Sequence, residues 1–160
     1  MYTRDMFDKE CIEMRDMLNK IYYEESDKNK KITIEQIPDE VFTKLFEMRI
    51  NIKQADINCY TEETHSDLMT VYKFADIIYE NKNRMDKLLS DIANNTIEQD
   101  STLKQCETEI YLCKGFIIEY LTVIYYFIKD VAEKVQAKEE PVRKRTIIDI
   151  FKGFIKKIKP

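Results

Sequence analysis

Apolar residues recur every three or four positions along four stretches of this chain, and this spacing is typical of amphipathic α-helices. The predicted helices run from about Thr3 to Glu24, from Pro38 to about Ala55, from Leu68 to Ile92, and from Ser101 or Thr102 to Lys138. Short polar segments such as residues 26–31 separate them. We therefore predict an all-α fold, in which residues 1–137 form a bundle of four main helices.

The residues after Pro141 differ from the rest of the chain, because they are basic and aliphatic. Residues 138–160 carry eight basic and three acidic side chains, whereas residues 1–137 have a net charge of −9. If this tail is helical, one face holds four apolar side chains, namely Ile147, Phe151, Phe154 and Ile158. A helix this short is unstable alone, so we expect a separate basic amphipathic unit that docks on its own body, a membrane or a partner.

Composition sets the broad class of the protein. The chain has 160 residues, 44% of them hydrophobic and 35% charged, with only two glycines, which suits one folded helical domain. An acidic body is a poor general ligand for nucleic acid, so we expect no direct sequence-specific nucleic acid binding. The first ten residues lack the apolar core of a signal peptide, which predicts an intracellular, cytoplasmic protein. The apolar run 116–128 contains Glu119 and is too short for a bilayer, so we interpret it as a core helix.

Motifs for catalysis are missing from the sequence. There is no GxGxxG or Walker sequence for nucleotide phosphates and no CxxC pair for zinc, and the four cysteines are interpreted as small buried hydrophobic residues. The only histidine, His65, lies beside carboxylates, but a solvated helix start explains that segment equally simply. We predict that the protein is not an enzyme and uses no metal or cofactor.

Three stretches of the chain resemble the helical domain of the GINS replication-factor subunits, especially the archaeal type. Residues 34–42 (IEQIPDEVF) are similar to the proline-containing entry into a helix of that family, although Thr43 stands where tyrosine is common. Residues 84–89 (RMDKLL) are similar to its Arg-x-x-Lys-aliphatic signature, and residues 103–111 to the acidic start of its next long helix. The family's two-domain subunits also have a small β domain, in place of which this chain has only its basic tail.

The resemblance implies a non-catalytic subunit of a hetero- or homo-oligomer that packs against a sister GINS-type subunit and scaffolds the MCM helicase. An archaeal protein of this kind would be nucleoid-associated. Arg84 and Lys87 would then make structural or subunit contacts, and the alternative is that both lie on a solvated helix face.

The tail permits further hypotheses. Residues 145–152 (RTIIDIFK) resemble a degraded sliding-clamp-binding motif, with Ile148 and Phe151 at the aliphatic and aromatic positions, but the same residues suit a helix docked on its own body, which we favour. Two other functions stay open. One is a helical adaptor, viral or cellular, that grips a partner helix in a groove, and the other is a membrane-surface protein that uses Phe151, Phe154 and the tail lysines.

Overall fold

The structure is a computed structural model that describes residues 1–24, 31–94 and 100–158, with side chains for residues 1–23, 31–94 and 101–138. Four α-helices account for most of it: α1 (Arg4–Asn19), α2 (Asp39–Gln54), α3 (Glu62–Ala93) and α4 (Asp100–Ile158). A π-helical turn, Lys20–Glu24, extends α1, and short 3-10 turns precede α2 and α3. The described residues include no strand, and the predicted all-α fold with four main helices is confirmed.

Threonine side chains cap the starts of two helices. Thr3 Oγ1 accepts a hydrogen bond from the Met6 amide, and Thr61 Oγ1 accepts one from the Thr64 amide, each at 3.2 Å. Each cap satisfies an amide of the first turn that has no partner within the helix. Because Thr61 caps α3, this helix begins at Glu62, and the predicted start at Leu68 is wrong by six residues.

The helices run up, down, up and down. Glu13 and Glu10 of α1 contact Lys44 and Asn51 of α2 in the reverse order, so these two helices are antiparallel. Phe74 and Arg84 of α3 likewise lie near Tyr120 and Glu109 of α4, so these two are antiparallel as well. Helix α4 packs against α3 and α1, whereas the main contacts of α2 are with α3 and α1, so α2 and α4 lie on opposite corners of the bundle. This arrangement gives α4 one side toward the bundle and one side away from it.

The core is built from the apolar stripes of all four helices. Phe7, Leu45, Ile78 and Leu121 are fully buried, one from each helix. Half-buried ion pairs tie the helices together at the edge of this core, and in one of them Arg49 of α2 contacts Asp76 of α3 at 2.8 Å. Most apolar positions with helical spacing therefore lie on the inner sides of the helices, although Met6 and Leu89, which the same spacing includes, are 46% and 43% exposed.

The backbone of α4 stays helical through Pro141 to Ile158, so the structure shows no break and no separate short C-terminal helix there. Proline is compatible with a helical φ, but inside a helix it removes one hydrogen bond of the ladder and its ring crowds the carbonyl four residues earlier. The side chains of residues 139–160 lie outside the described part of the chain, as does the predicted loop except for Lys31. The division into a body, 1–137, and a tail, 138–160, stays a prediction.

Candidate functional site

The middle of α4 exposes apolar side chains on the side that faces away from the bundle. We call this surface the outer face of α4. The five large side chains in it are between 41% and 76% exposed, and the face comprises Tyr111, Leu112, Gly115, Phe116, Val123 and Tyr126, with Glu119 among them. Most follow a spacing of three or four residues, so they share one side of the helix over about four turns.

The other side of the same turns is fully buried. Ile117, Leu121, Ile124 and Ile128 face the bundle and are inaccessible to solvent. Helix α4 therefore carries large apolar side chains on both its inner and its outer side here, which is typical of helices that are covered on more than one side. The interpretation of residues 116–128 as a core helix is correct for the inner side and wrong for the outer face. The signal in the sequence for an exposed apolar face was that apolar residues occur on both sides of this helix.

A groove of about 820 Å³ runs beside the outer face. Its second wall is formed by residues 31–35, which include the start of the 3-10 turn Ile34–Gln36 before α2, and its lining is mostly apolar. The segment is held against α4 by an ion pair in which Lys114 Nζ lies 2.9 Å from Glu35 Oε1, and this pairing lowers the pKa of the Glu35 carboxyl. The groove is a concave apolar surface that side chains of a partner can enter.

Gly115 lies in this groove, in the middle of a helix. A Cβ atom added there would meet nothing within 4 Å. Glycine in a helix interior is unfavourable relative to alanine, and packing within the described part of this chain gives no reason for it. A residue without a side chain does let the backbone of another molecule come close to α4.

Replacing Gly115 by alanine is therefore expected to raise the free energy of unfolding by about 1 kcal/mol, because alanine has less backbone entropy to lose and fits without a clash. The measurement is urea denaturation followed by circular dichroism. Thr108→Ala, at another exposed position of α4, is a matched control for helix propensity. A loss of stability in Gly115→Ala would show that the space around this position is not open.

Tyrosine side chains support the C-terminal end of the outer face. The π-helical turn after α1 places Tyr22 against Tyr125, whose rings stack with centroids 4.5 Å apart. The Tyr125 hydroxyl donates to Oδ1 of Asn19 at 2.5 Å, and burial raises its pKa. Lys129 Nζ donates to the exposed Tyr23 hydroxyl at 2.5 Å, which lowers the pKa of that hydroxyl. These contacts join the end of α1 and its π-helical turn to α4 beside the outer face.

The residues that the sequence proposed for partner binding lie elsewhere. Arg84 is exposed on α3 and contacts Glu109 of α4 at 2.8 Å, while Lys87 is exposed one turn further along α3. Ile148, Phe151 and Phe154 lie where side chains are not described. The structure therefore places Arg84 and Lys87 away from the groove, and their role toward a partner stays a prediction.

The metal-ligating side chains of the described residues are scattered rather than clustered. No group of three or more His, Cys, Asp or Glu side chains there is arranged to hold a metal ion, and His65 is exposed in the first turn of α3. Cys11 and Cys113 are buried and Cys106 is half-buried, but Cys59 is exposed, so the prediction of buried cysteines is wrong for Cys59. Cys59 Sγ donates to the Asp56 carboxylate at 3.5 Å, an interaction that raises the thiol pKa and so disfavours a reactive thiolate.

One part of the described chain, Ser101–Lys138 of α4, is long and apolar enough to cross a membrane when judged by length and composition alone. About a third of the most apolar stretch of this part is buried inside the bundle. A central helix of a bundle meets the same criterion.

The chain matches no protein-family profile, no curated protein and no solved structure. The resemblance to GINS subunits therefore stays a prediction from the three sequence stretches.

Proposed function

We propose that this protein is a non-catalytic helical subunit that assembles with a partner protein by packing an apolar helix of that partner against the outer face of α4. The observation that carries the proposal is the exposed apolar surface over the middle turns of a helix whose other side is fully buried. A contiguous exposed apolar patch is typical of an interaction surface, because leaving it in water costs free energy that a partner recovers.

The chemistry of the surface suits a helix as the partner. Phe116 and Tyr126 are aromatic side chains of the type that dominates binding energy at interfaces, and each stays partly exposed in the described chain. Phe116 lies near Tyr120, with ring centroids 6.5 Å apart, and Tyr120 in turn lies near Phe74 of α3. Gly115 allows close approach of the partner's backbone, as in a helix-in-groove contact.

The more specific form of the proposal is that the partner is a sister GINS-type subunit and that the assembly scaffolds the MCM helicase. Its support is the similarity of residues 34–42, 84–89 and 103–111 to that family. A helical adaptor of viral or cellular origin would use the same outer face without that identity.

A membrane is the second candidate for the outer face, and the observation that favours it is the length and apolar composition of α4. The large exposed side chains would then enter the lipid headgroup region, with the tail lysines on anionic lipid. Glu119 in the centre of the face disfavours this alternative, because a carboxylate is costly to bury in lipid.

The test is affinity purification of the full chain from its source cells, followed by identification of the bound proteins and a binding titration with the purified partner. The double variant Phe116→Lys/Val123→Lys is expected to weaken that binding at least about tenfold, since two cations would enter an apolar contact. Ile50→Lys is a matched control, because Ile50 is a similarly exposed apolar residue on α2, at the opposite corner of the bundle.

A partner that is a helical replication subunit or the MCM helicase would support the GINS form, and any other protein lost from the double variant would support an adaptor. Binding of the full chain to anionic liposomes that the double variant loses, with no protein partner found, would favour the membrane. The proposal is wrong if the double variant, still folded by circular dichroism, keeps every partner with unchanged affinity.

A further inference from the structure

A second groove lies at the end of the bundle where the basic tail begins. We call it the end groove. It has a volume of about 720 Å³ and lies between the starts of α1 and α3 on one side and residues 127–138 of α4 on the other. It shares no lining residue with the groove beside the outer face, so the two grooves can bind different molecules independently of each other.

The end groove has an apolar floor and a mostly acidic rim. Phe127, Val131 and Val135 succeed one another at intervals of four residues and form this floor, in which Val131 is only 4% exposed. Five carboxylates and three cations surround that floor, namely Asp5, Asp8, Glu63, Asp67 and Asp130 with Arg4, Lys134 and Lys138.

Two of the three cations of the rim, Arg4 and Lys134, are already engaged with carboxylates. Arg4 contacts both Asp8 and Asp67 at 2.8 Å, and Lys134 lies 3.0 Å from Asp130. The carboxylates outnumber the cations, so the rim keeps a net negative charge.

The tail of this chain has the complementary composition. Residues 142–158 contain six basic side chains and one acidic side chain, and their apolar positions at 147, 151, 154 and 158 have helical spacing. Apolar positions of the tail would meet the apolar floor of the groove, and basic residues would meet its acidic rim. In exposed positions the apolar contact and the ion pairing each contribute little free energy, so both are needed for stable docking.

Geometry favours docking between two copies of the chain. The starts of α1 and α3 lie beside residues 130–138, and the helical backbone of α4 continues for 20 residues beyond Lys138, which is about 30 Å. A straight continuation of α4 leads away from its own end groove. The groove of a second copy, placed antiparallel at the same end, is within its reach, and a two-fold axis near Pro141 would let each copy fill the groove of the other.

We infer that the end groove binds residues 142–158 of a second copy of this chain, so that two copies form a reciprocal dimer through exchanged tails. Sedimentation velocity on the purified full chain tests this inference. The wild-type protein is expected to show twice the monomer mass at micromolar concentration, with dissociation on dilution and in high salt, because the contact is partly electrostatic.

Charge reversal separates the two halves of the contact. The tail variant Lys152→Glu/Lys156→Glu/Lys157→Glu and the groove variant Asp5→Lys/Glu63→Lys/Asp130→Lys are each expected to weaken dimerisation at least about tenfold. Mixing these two variants is expected to restore a dimer, since the acidic tail of one then meets the basic groove of the other. The matched control is Glu47→Lys/Glu80→Lys/Glu107→Lys, which reverses three exposed carboxylates away from the groove and should leave the dimer intact.

Restored association in the mixture would establish the exchanged tails even if each variant lost some stability. The inference is overturned if the wild-type chain is a monomer at every concentration, including the case in which its tail binds its own groove. It is also overturned if the tail variant dimerises with the same affinity as the wild-type protein. If the dimer is instead lost in the variant Phe116→Lys/Val123→Lys, the two copies associate through the outer face. That result would overturn this inference and would leave the function proposed for the outer face standing.

Discussion

Replacing Leu121 by alanine is expected to lower the free energy of unfolding by about 2–5 kcal/mol, the largest effect we predict for a single substitution. Leu121 is fully buried on the inner side of α4, among the residues that pack against α1 and α3. Removing its side chain leaves a cavity that the neighbouring helices cannot fill without moving, so both transfer free energy and packing are lost. Urea denaturation followed by circular dichroism measures the change.

Val123→Ala, two residues further along, is the control for this prediction. Val123 lies on the outer face and is 41% exposed, so its truncation is expected to change the stability by no more than about 0.5 kcal/mol. Comparing the stability losses of the two variants tests which side of α4 faces the bundle. Equal losses at the two positions would mean that both sides of α4 are buried in the protein in solution, and the orientation of the helix would have to be revised.

Replacing Arg49 by alanine is expected to lower the free energy of unfolding by about 2 kcal/mol. Arg49 joins α2 to α3 through Asp76 at 2.8 Å, and its guanidinium carbon lies 4.1 Å from the centre of the Tyr79 ring. Its side chain is only 13% exposed, so water cannot replace these contacts fully, and Asp76 would be left half-buried without its cation. Thermal or urea denaturation at low and high salt measures the loss.

Arg84→Ala provides the matched comparison, because Arg84 makes an ion pair of the same length with Glu109. The Arg84 side chain is 61% exposed, however, and solvent screening should keep the loss within about 0.5 kcal/mol. If Arg84→Ala destabilised the protein as much as Arg49→Ala, exposure would not be what distinguishes the two pairs. A small effect on stability would leave Arg84 free to contact a partner, as the GINS resemblance implies.

The sequence predicted the helices and their inner sides well, because each buried stripe repeats with the helical period. The start of α3 was missed, since the acidic and polar residues after Thr61 look like a loop until the threonine cap is recognised. The functional surfaces were predicted less well. The tail was favoured as the binding surface because of its composition. The outer face of α4 was instead assigned to the core, because it belongs to the most apolar run in the chain.

The sequence by itself determined that this protein is helical and that it has four main helices, although the start of α3 and the end of α4 differ from the predicted bounds. These properties are local, because they depend on spacing, capping and charge within a few turns. Only the tertiary structure decided which side of α4 remains exposed, because that depends on how many helices cover it. The same holds for the end groove, since it brings together residues of α1, α3 and α4 that lie more than 50 positions apart in the chain.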